Sequence, residues 1–206
     1  MKTLSIAVLA STRATDLTGI MQAIKKKELN AQVKLLISDR EDAGALEKAK
    51  AYGIPSLYLN PKDFPSKEAF DERIAEALEK EEIELVLLIG FMRFLSKEFV
   101  HKFENKIMNI HPSLLPAFAG GMDKNVHQAV LDSGVKVTGC TLHFATEDID
   151  SGPIIMQKAV EISENESVDS LKEKVQEAEQ RVLVKAIKLF SKGKIKVEGK
   201  KVKIMD

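Results

Sequence analysis

The sequence has little of several residues that mark particular classes of protein: one cysteine, no tryptophan and two tyrosines among 206 residues. The single cysteine, Cys140, excludes an internal disulfide framework and fits a reducing compartment. No stretch reaches the roughly 18–20 consecutive apolar residues that a membrane-spanning helix requires. We therefore expect a cytoplasmic protein that forms no internal disulfide and does not cross a membrane.

Net charge is absent as well, because 31 Lys and Arg residues balance 31 Asp and Glu residues. Such a chain has no overall attraction to nucleic acid or to an anionic membrane, so local groups must hold any anionic ligand. The lysines of residues 194–205 could form a nucleic-acid patch, but no aromatic side chains alternate with them for base stacking. We expect small-molecule partners, no nucleic acid and no membrane, and leave a homodimer open.

The amino-terminal residues 2–11 have two interpretations. They combine a basic start, a short apolar run and small residues, as a short signal peptide does. A buried first strand has the same pattern over so few residues, and the polar residues that follow lead into a helical pattern. We expect a strand here.

Short apolar runs alternate with amphipathic segments along the first half of the chain. Fully buried strands are predicted at residues 4–9, 33–37, 56–59 and 85–89, and helices at residues 17–27, 43–52 and 66–80. This alternation is typical of parallel strands joined by right-handed crossovers, with helices on both faces of the sheet. Ligands of such sheets bind beyond the carboxyl ends of the strands.

The pattern changes after residue 110. A helix is predicted near 124–133, extended runs at 135–144 and 153–162, a helix at 167–190 capped by Ser167, and a terminal hairpin at 194–205. We interpret these elements as a partly antiparallel section of the same sheet. The sequence thus predicts a single α/β domain, doubly wound and mostly parallel, with an antiparallel C-terminal section.

Residues 109–116 carry the most informative pattern. Asn109 and His111 are two apart in a predicted strand, so a carboxamide and an imidazole point to the same face. Pro112 ends the strand and leaves the histidine at the rim of the sheet, where a ligand is expected. A structural role for the histidine is the alternative.

A second informative segment, residues 143–153, holds three carboxylates in four positions before Ser-Gly-Pro. It could bind a divalent metal, but it lacks the spacing of an EF-hand loop. A solvated acidic turn is the other plain alternative. We expect no metal.

These two segments resemble the active-site signatures of the folate-dependent formyltransferases, and the resemblance extends through residues 90–96 and 137–144 over nearly the whole chain. It implies a Rossmann-type formyltransferase fold over 1–206, with a phosphate-binding half (1–90), a catalytic, folate-binding half (91–190) and a C-terminal hairpin (191–206). The implied reaction transfers a formyl group from 10-formyltetrahydrofolate to the amine of glycinamide ribonucleotide in purine synthesis.

The resemblance also implies a catalytic trio, Asn109, His111 and Asp150. Asn109 can donate a hydrogen bond to the oxyanion that forms on the formyl group, and a protonated His111 can add a charged donor. Asp150 would raise the pKa of His111 and could relay the proton through water. No covalent intermediate is required, and Cys140 is not expected to be a nucleophile.

By resemblance, the folate side has two walls, one on each side of the ligand. Phe91, Met92, Phe94 and Leu95 could equally be core residues, and Lys67 a surface residue. The predicted folate-binding residues are Lys67, Met92, Arg93, Phe94, Leu95, Asn109, Thr146, Glu147, Asp148, Ile149 and Asp150.

The phosphate side departs from the family. The common loop after the first strand is Ser-Gly-Asn-Gly-Ser-Asn, whose glycines let backbone N–H groups approach a phosphate. Here residues 11–16 read Ser-Thr-Arg-Ala-Thr-Asp. The predicted ribonucleotide-binding residues are Ser11, Thr12, Arg13, Ala14, Thr15 and, on the last helix, Glu179. A loop that only caps the helix is the alternative.

Residues 118–127 are about three residues longer than the same segment in the usual family members and are expected to form a flap over the nucleotide.

Other functions stay open. A methionyl-tRNA formyltransferase carries an added barrel and a formyltetrahydrofolate hydrolase an amino-terminal regulatory domain, for which we expect no room. A relative that binds without turnover is the non-enzyme alternative.

Overall fold

The computed structural model describes residues 2–120 and 126–205. Nine strands within them form one sheet, in the order β3-β2-β1-β4-β5-β6-β7-β9-β8. The strands are β1 (Leu4–Leu9), β2 (Ala31–Ser38), β3 (Ser56–Tyr58), β4 (Leu85–Leu88), β5 (Ile107–His111), β6 (Val137–Phe144), β7 (Ile154–Glu161), β8 (Ile195–Glu198) and β9 (Lys201–Ile204). The helices are α1 (Leu17–Lys25), α2 (Gly44–Tyr52), α3 (Lys67–Lys80), α4 (Lys97–Lys102), α5 (Val126–Asp132) and α6 (Val168–Ser191), with a 3₁₀ turn at Pro61–Asp63.

The first five strands of the sheet are parallel, as the alternating pattern predicts. The chain winds outward from β1 through β2 to β3 and then returns to add β4 and β5 on the other side of β1. The strand order therefore reverses between β1 and β4, and a crevice for a ligand is expected beyond their carboxyl ends.

The remaining strands are mainly antiparallel. β6 pairs antiparallel with β5 and with β7, and β8 and β9 pair with each other as a hairpin. The hairpin joins the sheet where Ile154 of β7 lies beside Lys201 of β9, in a parallel orientation. The predicted fold class is confirmed.

Helices cover both faces of the sheet because β1 is apolar on both. Ile6 and Val8 belong to the core beneath α1, α2, α5 and α6, while Ala7 and Leu9 belong to the core beneath α3 and α4. Successive side chains of a strand point to opposite faces, so one buried strand supports both layers. The longest helix, α6, begins at Ser167, whose hydroxyl accepts the N–H of Ser170 at 3.1 Å.

Two details differ from the sequence prediction. The strand at 56–59 was predicted to be fully buried, but Ser56 and Tyr58 are exposed because β3 lies at the edge of the sheet. Helix α4 was not predicted, since six residues are too few to show a helical period. It begins at Ser96, whose hydroxyl accepts the N–H of Phe99 at 3.3 Å, and it buries Phe99 and Val100.

Two further expectations concern membrane-spanning helices and the flap at residues 118–127. No helix in the described part of the chain is both long and apolar enough to span a membrane. Residues 121–125 of the expected flap lie outside the described residues.

Candidate active site

Asn109 and His111 lie at the carboxyl end of β5 and share one face, as their spacing predicts. In the antiparallel register, Asn109 lies opposite His143 of β6, and His111 lies opposite Thr141. The hydroxyl of Thr141 donates to the carbonyl of Ser113 at 2.7 Å, so β6 also holds the loop that follows β5. The strand pair fixes two polar side chains beside each other at the rim of the sheet.

Asp150 completes the predicted trio from the loop between β6 and β7. Its Oδ2 lies 3.3 Å from Nδ1 of His111, and its Oδ1 accepts from Nδ2 of Asn109 at 3.4 Å. The backbone N–H of Gly120 also donates to Oδ2, at 3.0 Å. The turn after Asp150 requires a glycine, because a Cβ on Gly152 would lie 1.8 Å from the carbonyl oxygen of Phe144. The structure thus brings the trio together.

His143 belongs to this cluster although the sequence did not single it out. It is 2% exposed, and its Nδ1 lies 2.9 Å from the carbonyl oxygen of Phe144. A carbonyl only accepts, so Nδ1 carries the proton and Nε2 accepts from Nδ2 of Asn109 at 3.1 Å. His143 therefore sets the orientation of the Asn109 amide, with both amide hydrogens engaged, one by His143 and one by Asp150.

Burial and neighbouring charges both shift the pKa values within the trio. Burial raises the pKa of Asp150, but the neighbouring imidazoles and the Gly120 N–H lower it by more, and the net direction is downward. Burial also lowers the pKa of His111, and the charge of Asp150 opposes this without reversing it. Asp150 thus favours the charged imidazolium, as predicted, but burial outweighs its charge and the net shift of the His111 pKa is downward.

A cavity of about 350 Å³ opens over the trio. One wall comes from the segment after β4 and the other from the loop between β6 and β7. Of the predicted folate-binding residues, those lining the cavity are Met92, Arg93, Phe94, Leu95, Asn109, Thr146, Glu147, Asp148, Ile149 and Asp150. Met92, Phe94 and Ile149 have exposed side chains, which excludes the core alternative for Met92 and Phe94, whereas Phe91 is buried as that alternative expects.

Comparison with known proteins identifies the family to which this chain belongs. The family model described as formyl transferase matches residues 4–187. The chain belongs to the formyl transferase family. A phosphoribosylglycinamide formyltransferase from Bacillus subtilis (strain 168) is 39% identical, with 88% of this chain and 92% of that protein covered. The resemblance of the sequence to the folate-dependent formyltransferases is thus confirmed.

Two further relatives extend the comparison. The crystal structure of glycinamide ribonucleotide transformylase 1 from Symbiobacterium toebii has a TM-score of 0.93 and 40% identity, covering 98% of this chain and 94% of that one. The trifunctional purine biosynthetic protein adenosine-3 of Gallus gallus is 42% identical over 93% of this chain. This formyl transferase spans only 19% of that protein's length.

Three predicted folate-side residues of this formyl transferase have protein partners. Lys67 does not line the cavity, and its ammonium donates to the carbonyl of Leu95 at 2.8 Å. The guanidinium of Arg93 lies 5.1 Å from the ring centroid of Phe70. The carboxylate of Glu147 lies 2.8 Å from Nζ of Lys97 and 2.7 Å from Nε2 of His101, both on α4. These contacts support the cavity walls.

The predicted phosphate-side residues of the loop before α1 do not line the cavity of this formyl transferase, although the loop borders it. The hydroxyl of Ser11 accepts the N–H of Met92 at 2.7 Å, which ties the loop to the folate-side wall. Thr12 and Arg13 are exposed. Ala14 has a φ of 44°, the left-handed region that a glycine of the family loop would adopt at no steric cost.

Two buried carboxyls lie behind that loop. Glu179 of α6 is 6% exposed, and burial, followed by the charge of Asp16, raises its pKa well above the usual value. Burial likewise raises the pKa of Asp16 to about 7. The sequence did not single out Asp16, because an aspartate before a helix is the common pattern of a cap. Asp16 nevertheless makes no capping hydrogen bond.

The described residues also bear on metal binding. Among residues 2–120 and 126–205, no three histidine, cysteine or acidic side chains cluster as metal ligands do.

Cys140 has a buried thiol whose pKa is raised to about 12, first by burial and then by the charge of Glu179. Such a thiol stays protonated at neutral pH, and the thiolate is the form that acts as a nucleophile.

Proposed function

We propose that the protein transfers the formyl group of 10-formyltetrahydrofolate to the amine of glycinamide ribonucleotide, a step of purine biosynthesis. Members of its family use a folate-derived formyl donor, and relatives of matching length carry this activity in their names. The observation that carries the proposal is the contact of Asn109, His111 and Asp150 beneath a cavity with exposed apolar walls.

The downward shift of the His111 pKa favours a role as proton acceptor over a role as charged hydrogen-bond donor. With a pKa lowered by burial, the imidazole is mainly neutral at pH 7 and can accept the proton that the amine loses on attacking the formyl carbon. The Phe118 carbonyl lies 3.1 Å from Nε2 and only accepts, so the neutral ring carries its proton there, and Nδ1, 3.3 Å from Asp150, is the nitrogen that would take up the proton of the amine. Both oxygens would stabilise the imidazolium that forms. The proton then passes to N10 of the leaving folate as its bond to the formyl carbon breaks.

Asn109 is the proposed donor to the oxyanion. Its hydrogen bond to Asp150 is long at 3.4 Å, whereas its bond to His143 is 3.1 Å. The substrate oxygen can therefore replace Asp150 as acceptor while His143 keeps the amide oriented. In known enzymes, the loss of one such donor costs about 3 kcal/mol, or roughly 10²–10³ in rate.

The cavity suits the folate. Small-molecule sites combine apolar walls with a few polar groups and typically enclose about 300–1,000 Å³. Met92, Phe94 and Ile149 supply exposed apolar surface, and the backbone of residues 92–95 and 146–150 supplies N–H and C=O groups for the edge of the pterin. Arg93, held over Phe70, and Glu147, held by α4, brace these walls.

We place the ribonucleotide phosphate at the loop before α1, where the helix N-terminus and its dipole favour an anion. Ser11, Thr12, Ala14 and Thr15 offer hydroxyls and backbone N–H groups, and the exposed Arg13 offers a guanidinium. Glu179 would accept from the ribose hydroxyls. In this proposal, residues 1–90 bind phosphate, residues 91–190 bind folate and carry out the chemistry, and the reaction is cytoplasmic.

The deciding experiment measures folate turnover with 10-formyltetrahydrofolate, with and without glycinamide ribonucleotide, and identifies the product by mass. Turnover that requires the ribonucleotide and gives its formylated form is the expected result. Turnover without it would indicate a hydrolase instead. Folate binding by calorimetry without any product would indicate a relative that binds but does not react.

A further inference from the structure

The loop of residues 146–151, between β6 and β7, carries Asp150 outside the sheet. The hydroxyls of Thr146 and Ser151 donate to the carbonyl of Asp148, at 3.1 and 3.0 Å, but these bonds lie within the loop and do not attach it to another element. Asp150 has a φ of 50°, in the left-handed region that is unfavourable for residues other than glycine. Such a conformation persists only where surrounding contacts hold it.

Two carboxylates attach this loop to the rest of the protein. Asp150 lies 3.3 Å from Nδ1 of His111 inside the cavity. Glu147 contacts helix α4, with one oxygen 2.8 Å from Nζ of Lys97 and the other 2.7 Å from Nε2 of His101, and neither α4 residue lines the cavity. The hydrogen bond from Lys97 is the main cause that lowers the pKa of Glu147, so this carboxylate is ionised at neutral pH.

Helix α4 provides a fixed base for the Glu147 contact. Lys97 and His101 are four residues apart, so they lie on the same face of the helix and reach one carboxylate together. Phe99, on another face, is 2% exposed and packs in the core beneath α3. The N–H of Ser96, which begins the helix, donates to the buried carboxylate of Asp71 on α3 at 2.5 Å. The helix is therefore held at its start and along its length.

The proposed mechanism weakens the other attachment of the loop. The formyl oxygen replaces Asp150 as the acceptor of the Asn109 amide, yet Asp150 must stay beside Nδ1 of His111 while the proton moves. The contact of Glu147 with α4 lies three residues away and does not involve the trio. It is thus placed to hold the loop when the Asn109 hydrogen bond is exchanged.

We propose that Lys97 and His101 are positioning residues for the reaction, acting through Glu147. They hold the loop where Asp150 contacts His111. The proposal rests on the proposed function for the reaction and for the role of Asp150. Because α4 directly follows the folate-side wall in the chain, it also joins the two walls of the cavity. Loss of the contact therefore lowers kcat and raises KM for the folate, and leaves KM for the ribonucleotide unchanged.

Reversal of charge tests the contact. Lys97→Glu places a second carboxylate beside Glu147. An exposed ion pair contributes up to about fivefold, so lost attraction together with new repulsion is expected to lower kcat/KM for the folate about tenfold. Glu147→Lys is expected to have a similar effect. The double variant K97E/E147K restores opposite charges and is expected to recover to within about threefold of the parent. A double variant as impaired as E147K would overturn the proposal.

Glu198 on the terminal hairpin offers a matched control. It is also held between two basic side chains, Lys196 at 3.0 Å and Lys203 at 2.5 Å, and neither of these lines the cavity. Lys196→Glu is expected to leave kcat and both KM values within about twofold of the parent. An equal loss in K196E and K97E would show a general effect of surface charge and would contradict a positioning role.

The pKa of His111 provides a measurement that needs no substrate. Asp150 raises this pKa, so displacement of the loop in K97E is expected to lower it, and an NMR titration of the imidazole follows the change. The negative charge that K97E adds would by itself raise the pKa, so a fall reports the lost contact with Asp150. An unchanged or raised pKa in K97E would refute the positioning of Asp150, whatever the enzyme's activity.

The two measurements separate the possible failures. If the His111 pKa falls in K97E but the parent shows no turnover that requires the ribonucleotide, the proposed function fails and the catalytic role of the loop fails with it. If the parent turns over both substrates and K97E keeps the parent's kcat and KM for the folate, the proposed function stands and the role of Lys97 does not.

Discussion

The folate-side wall and the loop before α1 are joined by the hydrogen bond between Met92 and Ser11, yet they differ in how closely they keep the family's residues. The wall and trio carry the expected residue types, held by strand pairing, by α4 and by Gly120. The loop has alanine and aspartate where the family has glycine and asparagine, and two buried carboxyls lie behind it. The proposed proton chemistry thus rests on residues held by paired strands and the loop beside them, while the proposed anchor of the acceptor departs from the family in its residues.

The largest expected effect tests the strand-held side. His111→Ala removes the proposed base and is expected to lower kcat/KM by about 10³, within the roughly 10²–10⁴ that general bases contribute. His101→Ala is the comparison variant: it removes one of the two α4 groups that hold Glu147 in the cavity wall, leaves Lys97 in place, and should change activity far less. Steady-state kinetics with both substrates provide the measurement. Turnover of H111A within a few-fold of the parent would remove His111 from the mechanism.

The pH dependence of kcat/KM tests the same proposed role of His111. Because the proposed mechanism needs neutral His111, kcat/KM is expected to fall as pH drops through the lowered pKa of this residue, below about 6.5. Asp150 raises that pKa, so Asp150→Asn is expected to move the acidic limb to still lower pH as well as reduce kcat. A limb that moves to higher pH in D150N would show that Asp150 does not act on His111 as the geometry indicates.

His143→Phe addresses positioning. Phenylalanine can fill this buried position but has neither the acceptor at Nε2 for the Asn109 amide nor the donor at Nδ1 for the Phe144 carbonyl. The loss of one orienting hydrogen bond is worth about 1–1.5 kcal/mol, so kcat is expected to fall about tenfold with KM for both substrates nearly unchanged. A change confined to KM would show that His143 acts on binding instead. Circular dichroism and a Tm measurement check that the variant is folded.

The strand-held site and the loop before α1 differ in how much of their structure could be predicted from the sequence, and the reason is physical. Asn109 and His111 were predictable because their relation is local, two residues apart in one strand. The place of His143 depends on the antiparallel register of β5 and β6, which the intervening loop and helix set. The Asp16–Glu179 pair joins positions 163 residues apart in the chain, and nothing near either position signals the other. The edge strand β3 was misjudged because a short apolar run does not show how many neighbours a strand has.

Arg13→Ala tests the altered loop with a smaller expected effect. The guanidinium is exposed, so its contact with a phosphate is worth about 1 kcal/mol, and KM for the ribonucleotide is expected to rise about fivefold while KM for the folate stays the same. Raising the salt concentration should reduce the difference from the parent, because exposed charges are screened. An equal change in both KM values would argue against a phosphate contact.

Ala14→Gly is the smallest change and bears directly on how this loop departs from the family. The φ of 44° at Ala14 costs an L-residue about 1–2 kcal/mol, whereas glycine adopts it freely but loses more chain entropy on folding, about 0.5–1 kcal/mol. The methyl group of Ala14 is also buried, and its loss costs about 0.8 kcal/mol, so A14G is expected to keep the free energy of unfolding, measured by urea denaturation, within about 0.5 kcal/mol of the parent. Ala51→Gly, at an exposed position inside α2, is the matched control and is expected to destabilise by about 0.5–1 kcal/mol. If both variants destabilise equally, Ala14 is not strained, and the loop accommodates alanine without the cost that its backbone geometry implies.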